Sequence, residues 1–270
     1  MASDQKVAVV TGAAGGLGAC FARKLAELDY ELILIDRRED DVNRLCGELR
    51  SISNMKVEPI AADLCDNEAV AELARRLAAL PHIELLINNA GFGFSQDFVD
   101  VEIQRHIDMI ALHVMTPASL THAVLPRMIE RNRGAIINVS SLGAWTPSAG
   151  SVQYCSTKGY LVSFSESLQD ELRGTKLRVQ ALCPGFIHTG FHDRDGMSHL
   201  DIGKIPKWLW VTTDEAVKCS LQNLSRRQVI VIPGFLPRIL GRCMRMPMLQ
   251  PLVRALSRQP RRDDKNAATR

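Results

Sequence analysis

Seven short apolar runs, rich in β-branched residues, alternate with longer stretches of helical periodicity, and no other feature constrains the fold so tightly. Val7–Val10, Glu31–Ile35, Lys56–Ala61, Glu84–Ile87, Ala135–Val139, Arg178–Leu182 and Val229–Ile232 read as strands. Turn residues such as Gly12, Asn88-Asn89, Gly134 and Pro184-Gly185 end them. Between them, Gly16–Leu28, Asp40–Arg50, Asn67–Ala79, Ile103–Arg131, Val152–Arg173 and Asp214–Asn223 carry helical spacing. In the first, Leu17, Cys20, Phe21, Leu25 and Leu28 share a face that Arg23, Lys24 and Glu27 avoid. Strands apolar on both faces and joined by helices imply a parallel sheet covered on both sides. Right-handed crossovers then leave an α/β, Rossmann-type doubly wound sheet of about seven strands as the simplest topology.

At 270 residues and 46% hydrophobic, the chain can bury a substantial core without dividing into two domains. A formal net charge of +3 gives no ground for a nucleic-acid partner. The 7 cysteines are scattered, odd in number and lack a CxxC pair, which argues against a disulfide framework and a zinc site and suits a reducing cytoplasm. Met1–Lys6 leads straight into the first apolar run with no secretory signal. The longest apolar stretches fall short of the roughly 18 residues of a membrane span. A cytoplasmic protein, at most peripheral to a membrane, is expected.

Thr11-Gly12-Ala13-Ala14-Gly15-Gly16-Leu17-Gly18 follows the first strand and opens the first helix. Small residues let the backbone approach a pyrophosphate, and the helix N-terminus supplies free N–H groups and a positive dipole end. Asp36, at the end of the second strand, can accept hydrogen bonds from the adenosine ribose hydroxyls and repel a 2′-phosphate. That predicts NAD over NADP. Arg37 and Arg38 complicate the choice, because a guanidinium is the usual partner of that phosphate; the alternative is that both are solvated loop residues.

Tyr154 and Lys158 are four apart, hence on one helix face. A free phenol titrates near 10, and a fixed ammonium beside it favours the phenolate, so the pair can exchange a proton with a substrate oxygen.

Read in order, the glycine turn, Asn88-Asn89-Ala90-Gly91, Ser140-Ser141, Tyr154-Cys155-Ser156-Thr157-Lys158 and Pro184-Gly185-Phe186-Ile187-His188-Thr189 resemble the main branch of the short-chain dehydrogenase/reductase family. The resemblance spans at least residues 6 to 191. It implies that Tyr154 is the acid/base, that Lys158 lowers its pKa and holds the nicotinamide ribose, and that Ser141 binds the substrate oxygen. For the cofactor it implies Gly12, Ala14, Gly16, Leu17 and Gly18 at the pyrophosphate, Asp36 and Arg37 at the ribose, and Asp63 and Leu64 at the adenine. Asn89, Ala90 and Gly91 would border the dinucleotide, with Pro184, Gly185, Ile187 and Thr189 around the nicotinamide carboxamide. No metal is implied. Where the family often has asparagine in a Leu-Asn-Val context, this chain has Leu112-His113-Val114. His113 either joins the proton relay attributed to that asparagine or fills its space.

His188, His192 and His199, with nearby aspartates, match no standard metal-ligand spacing. Residues 1–236 are expected to form one dinucleotide-binding catalytic domain, with a substrate lid at about 188–212. Residues 237–270 form a basic amphipathic segment and a disordered tail. Pro233–Arg262 interleaves apolar residues with arginines, a pattern that suits subunit packing, capping of an apolar cleft, or contact with an anionic membrane. Pro247 and Pro251 break it into short pieces. The implied reaction is hydride transfer between NAD(H) and a mostly apolar secondary alcohol or ketone such as a steroid, fatty acyl chain or terpenoid, in a homodimer or homotetramer. The alternatives are an NADP-dependent carbonyl or 3-oxoacyl-thioester reductase and a non-enzymatic dinucleotide sensor.

Overall fold

In the computed structural model, which describes residues 6–52, 54–187, 209–246 and 248, all seven expected strands enter one parallel sheet. They are β1 (Val7–Thr11), β2 (Glu31–Asp36), β3 (Val57–Ala61), β4 (Ile83–Asn88), β5 (Ala135–Val139), β6 (Arg178–Leu182) and β9 (Ile230–Val231). The order is β3-β2-β1-β4-β5-β6-β9, so the connection reverses direction between β1 and β4. This is the doubly wound Rossmann-type arrangement, and its ligand crevice lies at the carboxyl ends of the strands beside that reversal.

Successive residues of a strand point to opposite faces, and the two layers of core follow from that. Ala8, Val10, Leu32 and Leu34 pack with α1 (Gly16–Ala26), α2 (Glu39–Ile52) and α7 (Thr213–Asn223). Val9, Ile33 and Ile35 pack on the other face with α3 (Asn67–Ala78) and α5 (Thr116–Arg131). Local signals set several helix starts. Asp66 caps α3 by accepting from Glu68 N at 2.9 Å, and Thr212 and Glu215 form a reciprocal capping box at α7.

Three features differ from expectation. The long helix Ile103–Arg131 is α4 (Ile103–Ile110), a π turn (Ala111–Met115) and α5, because one extra residue is accommodated mid-helix. Contrary to the sequence estimate, this helix is long and apolar enough to cross a membrane, yet half of the qualifying window is buried in the protein, as in core helices. A two-stranded ribbon, β7 (Phe186–Ile187) with β8 (Trp210–Val211), lies beside the main sheet. Helix α8 (Phe235–Arg245) ends just before Pro247, whose ring disfavours helical backbone in the residue ahead of it. The domain break expected after residue 236 therefore falls inside α8. Most of the expected lid and the tail, with Thr189, His188, His192 and His199, lie outside the described residues.

Candidate active site

The carboxyl ends of β1, β2, β4, β5 and β6 bring the separate motifs to one edge of the sheet. At β1, Gly12 adopts φ +62°, and a side chain on Gly18 would collide with the Gly12 carbonyl. Helix α1 starts at once, with Gly15 as an N-cap that offers no side-chain acceptor. Its first N–H groups therefore remain for an anion.

The turn is stitched to β4. Thr11 Oγ1 accepts from the N–H groups of Asn89 at 2.9 Å and Ala90 at 3.0 Å. Asn89 Nδ2 donates back to the carbonyls of Thr11 at 2.9 Å and Gly12 at 3.1 Å. The Nδ2 group of Asn89 thus holds the glycine turn in place. Asp36 closes the other side: Oδ2 accepts from Ala14 N at 3.0 Å, while Oδ1 accepts from Arg38 N at 3.1 Å and Arg38 Nε at 3.2 Å. Arg38 also pairs with Asp41 at 3.0 Å, whereas Arg37 is exposed and forms no ion pair among the described residues. At the end of β3, Asp63 Oδ1 accepts from Cys65 N at 2.9 Å, and the Leu64 carbonyl accepts from Thr116 Oγ1 at 2.7 Å.

Around β5, Ser141 opens a 3-10 turn (Leu142–Trp145), and its Oγ accepts from Gly143 N at 3.0 Å. Tyr154 and Lys158 stand one turn apart on α6 (Val152–Glu171), with Lys158 Nζ 5.7 Å from the Tyr154 ring centre. Tyr154 is hydrogen-bonded to Ser141, which lowers its pKa, but burial outweighs that and pushes it up to about 12. Lys158 Nζ donates to Val139 O at 2.9 Å, and burial pulls its pKa down to about 8. The expected acidification of the phenol by its cationic neighbour is therefore absent from these electrostatics; desolvation dominates both groups. At neutral pH the phenol is protonated, which suits it to give a proton to a carbonyl oxygen.

His113 lies in the π turn, fully enclosed. Its Nε2 accepts from Phe92 N at 3.2 Å, so Nδ1 carries the proton and donates to Thr157 Oγ1 at 2.9 Å. Thr157 in turn donates to the Tyr154 carbonyl at 3.0 Å. Burial, then the nearby Lys158, holds the His113 pKa well below its ordinary value. The ring, with its pKa lowered in this way, ties three segments of the site together.

Leu142 N donates to Pro184 O at 3.0 Å, joining the Ser141 turn to the Pro184-Gly185 loop, which runs on into buried Ile187. A side chain on Gly91 would lie 2.7 Å from His113 Nε2 and 3.6 Å from Lys158 Nζ, so only bare backbone fits against the imidazole here. Residues 6–197 match the family model described as short chain dehydrogenase. The chain belongs to the short-chain dehydrogenase family.

Relatives of this short-chain dehydrogenase agree in fold and chemistry. An "NADP-dependent 3-hydroxy acid dehydrogenase" of Schizosaccharomyces pombe is 30% identical, over 85% of this chain and 90% of that protein. A short-chain dehydrogenase from Sphingobium yanoikuyae in complex with NADPH is 31% identical, with a TM-score of 0.78 over 84% of this chain and 87% of that one. A short-chain dehydrogenase/reductase from Burkholderia phymatum in complex with NAD is 25% identical, with a TM-score of 0.79 over 96% and 97%. The protein is an oxidoreductase that uses a nicotinamide dinucleotide, and the uncapped α1 terminus with its glycine turn fits the pyrophosphate of that group.

The sequence alone does not reveal the structural role of Thr11 or the pairing of Phe92 and Thr157 with His113. A threonine closing a strand just before a glycine turn, opposite an Asn-Asn pair, is the signal that marks the first of them.

Proposed function

We propose that this short-chain dehydrogenase moves a hydride between NAD(H) and the secondary alcohol or ketone of a mostly apolar substrate. The observation that carries the proposal is the hydrogen-bonded Ser141–Tyr154 pair with Lys158 one turn away, at the sheet edge that also bears the dinucleotide cradle. The nicotinamide, when bound, supplies the hydride acceptor or donor. Tyr154 holds the proton that the substrate oxygen gains on reduction, and Ser141 donates to that oxygen as negative charge develops. Lys158 presents a cation beside Gly91, where the nicotinamide ribose is expected.

Apolar side chains packed beside the catalytic residues support the substrate class. Phe92 and Phe94 pack in one cluster with Tyr154, and Leu142 and Trp145 lie in the turn beyond Ser141. Asp36 supports NAD, since a 2′-phosphate would meet its carboxylate. Unpaired Arg37, together with the NADP named for one relative and the NADPH bound by another, favours a second reading in which NADP is used. Kinetics with both coenzymes separate the two. In the NAD reading, Asp36→Asn keeps an oxygen for Ala14 N but loses the charge; kcat/KM for NADH is expected to fall about tenfold while that for NADPH rises. A parent enzyme that already prefers NADPH discards the NAD assignment.

A homo-oligomer is the quaternary form we favour, built on α4. Ile103, Ile107, Ile110 and Met115 are 64%, 48%, 38% and 47% exposed along this element and the following π turn. Ile107→Glu is expected to shift the mass seen by light scattering to that of one chain. A parent protein already monomeric at high concentration would remove the proposal.

A further inference from the structure

Helix α8 is firmly seated on one side and bare on the other. Its inner side closes on the active-site wall. Gly241 packs where any side chain would collide with Ile232 and Leu142, and the Arg245 guanidinium lies 5.7 Å from the Trp145 ring centre. Arg245 Nη2 also pairs with Glu166 Oε1 on α6 at 3.4 Å. Leu142 and Trp145 bound the turn that begins at Ser141, so α8 rests directly on the substrate side of the catalytic centre.

The outer side carries Phe235, Ile239 and Met246, exposed by 75%, 44% and 51%, with Leu236 at one flank and Met248 just beyond the helix end. Spacings of four and seven residues put Phe235, Ile239, Arg242 and Met246 on one stripe. Arg242 is exposed, with no ion pair or hydrogen bond among the described residues. Charge is also segregated along the sequence. Pro233–Arg262 holds seven arginines and no carboxylate, leaving 26 basic against 30 acidic residues elsewhere. A second copy packed face to face would set these arginines against their own kind. An apolar stripe with the unpaired Arg242 in its midst, followed in sequence by five more arginines and no carboxylate up to Arg262, is complementary to a surface that is greasy below and negative above.

We infer that the outer face of α8 docks on an anionic lipid surface, with Phe235, Ile239 and Met246 entering the acyl boundary and Arg242 held at the headgroup phosphates. Docking brings the Ser141 turn, which α8 covers, next to the layer where an apolar ketone or alcohol dissolves. The inference extends the apolar-substrate reading, yet vesicle binding needs neither coenzyme nor turnover, so each can fail without the other.

The test uses the full chain with two sets of vesicles, phosphatidylcholine alone and phosphatidylcholine mixed with phosphatidylserine. The protein is expected to sediment with the mixed vesicles, weakly with the neutral ones, and less as salt is raised. Arg242→Glu is expected to weaken binding roughly tenfold. The double change Phe235→Ser and Ile239→Ser should weaken it at least as much. Reduction of a water-soluble ketone by both variants should match the parent, which shows that they fold. The inference is overturned by a parent that stays in the supernatant with mixed vesicles, or by variants that bind as well as the parent. It is also overturned if the serine pair only converts a dimer to a monomer in light scattering, because the occupant of the face is then a second copy.

Discussion

Tyr154→Phe is expected to lower kcat by roughly 10³-fold and leave dinucleotide affinity unchanged. The change deletes one oxygen and keeps the ring that packs beside Phe92 and Phe94, so the wall of the site stays in place. What disappears is the proton that a substrate oxygen must acquire as hydride arrives, together with the hydrogen bond to Ser141. Burial holds the phenol protonated up to about pH 12, so its supply of protons does not vary across the physiological range. Single-turnover rates with coenzyme and ketone, beside fluorescence titration of the coenzyme, separate chemistry from binding. A variant within tenfold of the parent would place proton transfer on another group.

Lys158→Met is expected to split activity from stability. Turnover falls at least about 100-fold, because the cation beside the phenol is gone. The fold, by contrast, becomes firmer at pH 7. Moving a lysine from 10.5 to about 8 corresponds to a penalty of roughly 3 kcal/mol for holding the charge inside. Loss of the bond to Val139 O returns about 1 kcal/mol of that, leaving a net gain of about 2 kcal/mol. The sign follows from proton counts. Between pH 8 and 10.5 the unfolded chain binds the proton more often than the folded one, so parent stability rises with pH through this window and is lowest below it. Urea melts at pH 7 and pH 10 should show the advantage of the variant shrinking as pH rises. The same titration sets the reductase profile, with kcat/KM level below about pH 8 and declining above it. An advantage constant across the two pH values would mean that Lys158 is not penalised by its surroundings.

The sheet was readable because β1, β2, β4, β5 and β6 are buried on both faces and hence almost uniformly apolar, with Gly12, Asn88-Asn89 and Pro184-Gly185 marking the ends of β1, β4 and β6. β7 and β8 consist of two residues each, too short to impose any period, and they pair across residues 188–208, so nothing local announces them. Helix α8 was hidden by the prolines after it, although its own eleven residues contain an apolar stripe. Ser141, Tyr154 and Lys158 stand in ordered motifs, which is why the family resemblance singles them out. Their electrostatics could not be read so. Lys158 beside Tyr154 suggests an acidic phenol, but the sign is decided by how much water the fold removes from both. The Thr11–Asn89 stitch joins residues 78 apart, and only the β1–β4 pairing brings them together.

The π turn at Ala111–Met115 stores one residue beyond ordinary winding, so the helix pair α4 and α5 can absorb a lesion that would wreck a plain helix. Loss of a single amino acid there, other than His113, lets the backbone relax to α winding and leaves α5 in phase. Leu120, Val124 and Met128 then stay in the core, and Thr116 keeps its hold on the Leu64 carbonyl. The same codon lost past Thr116, where no spare residue exists, rotates the helix beyond it by about 100° and turns those apolar side chains away from the sheet.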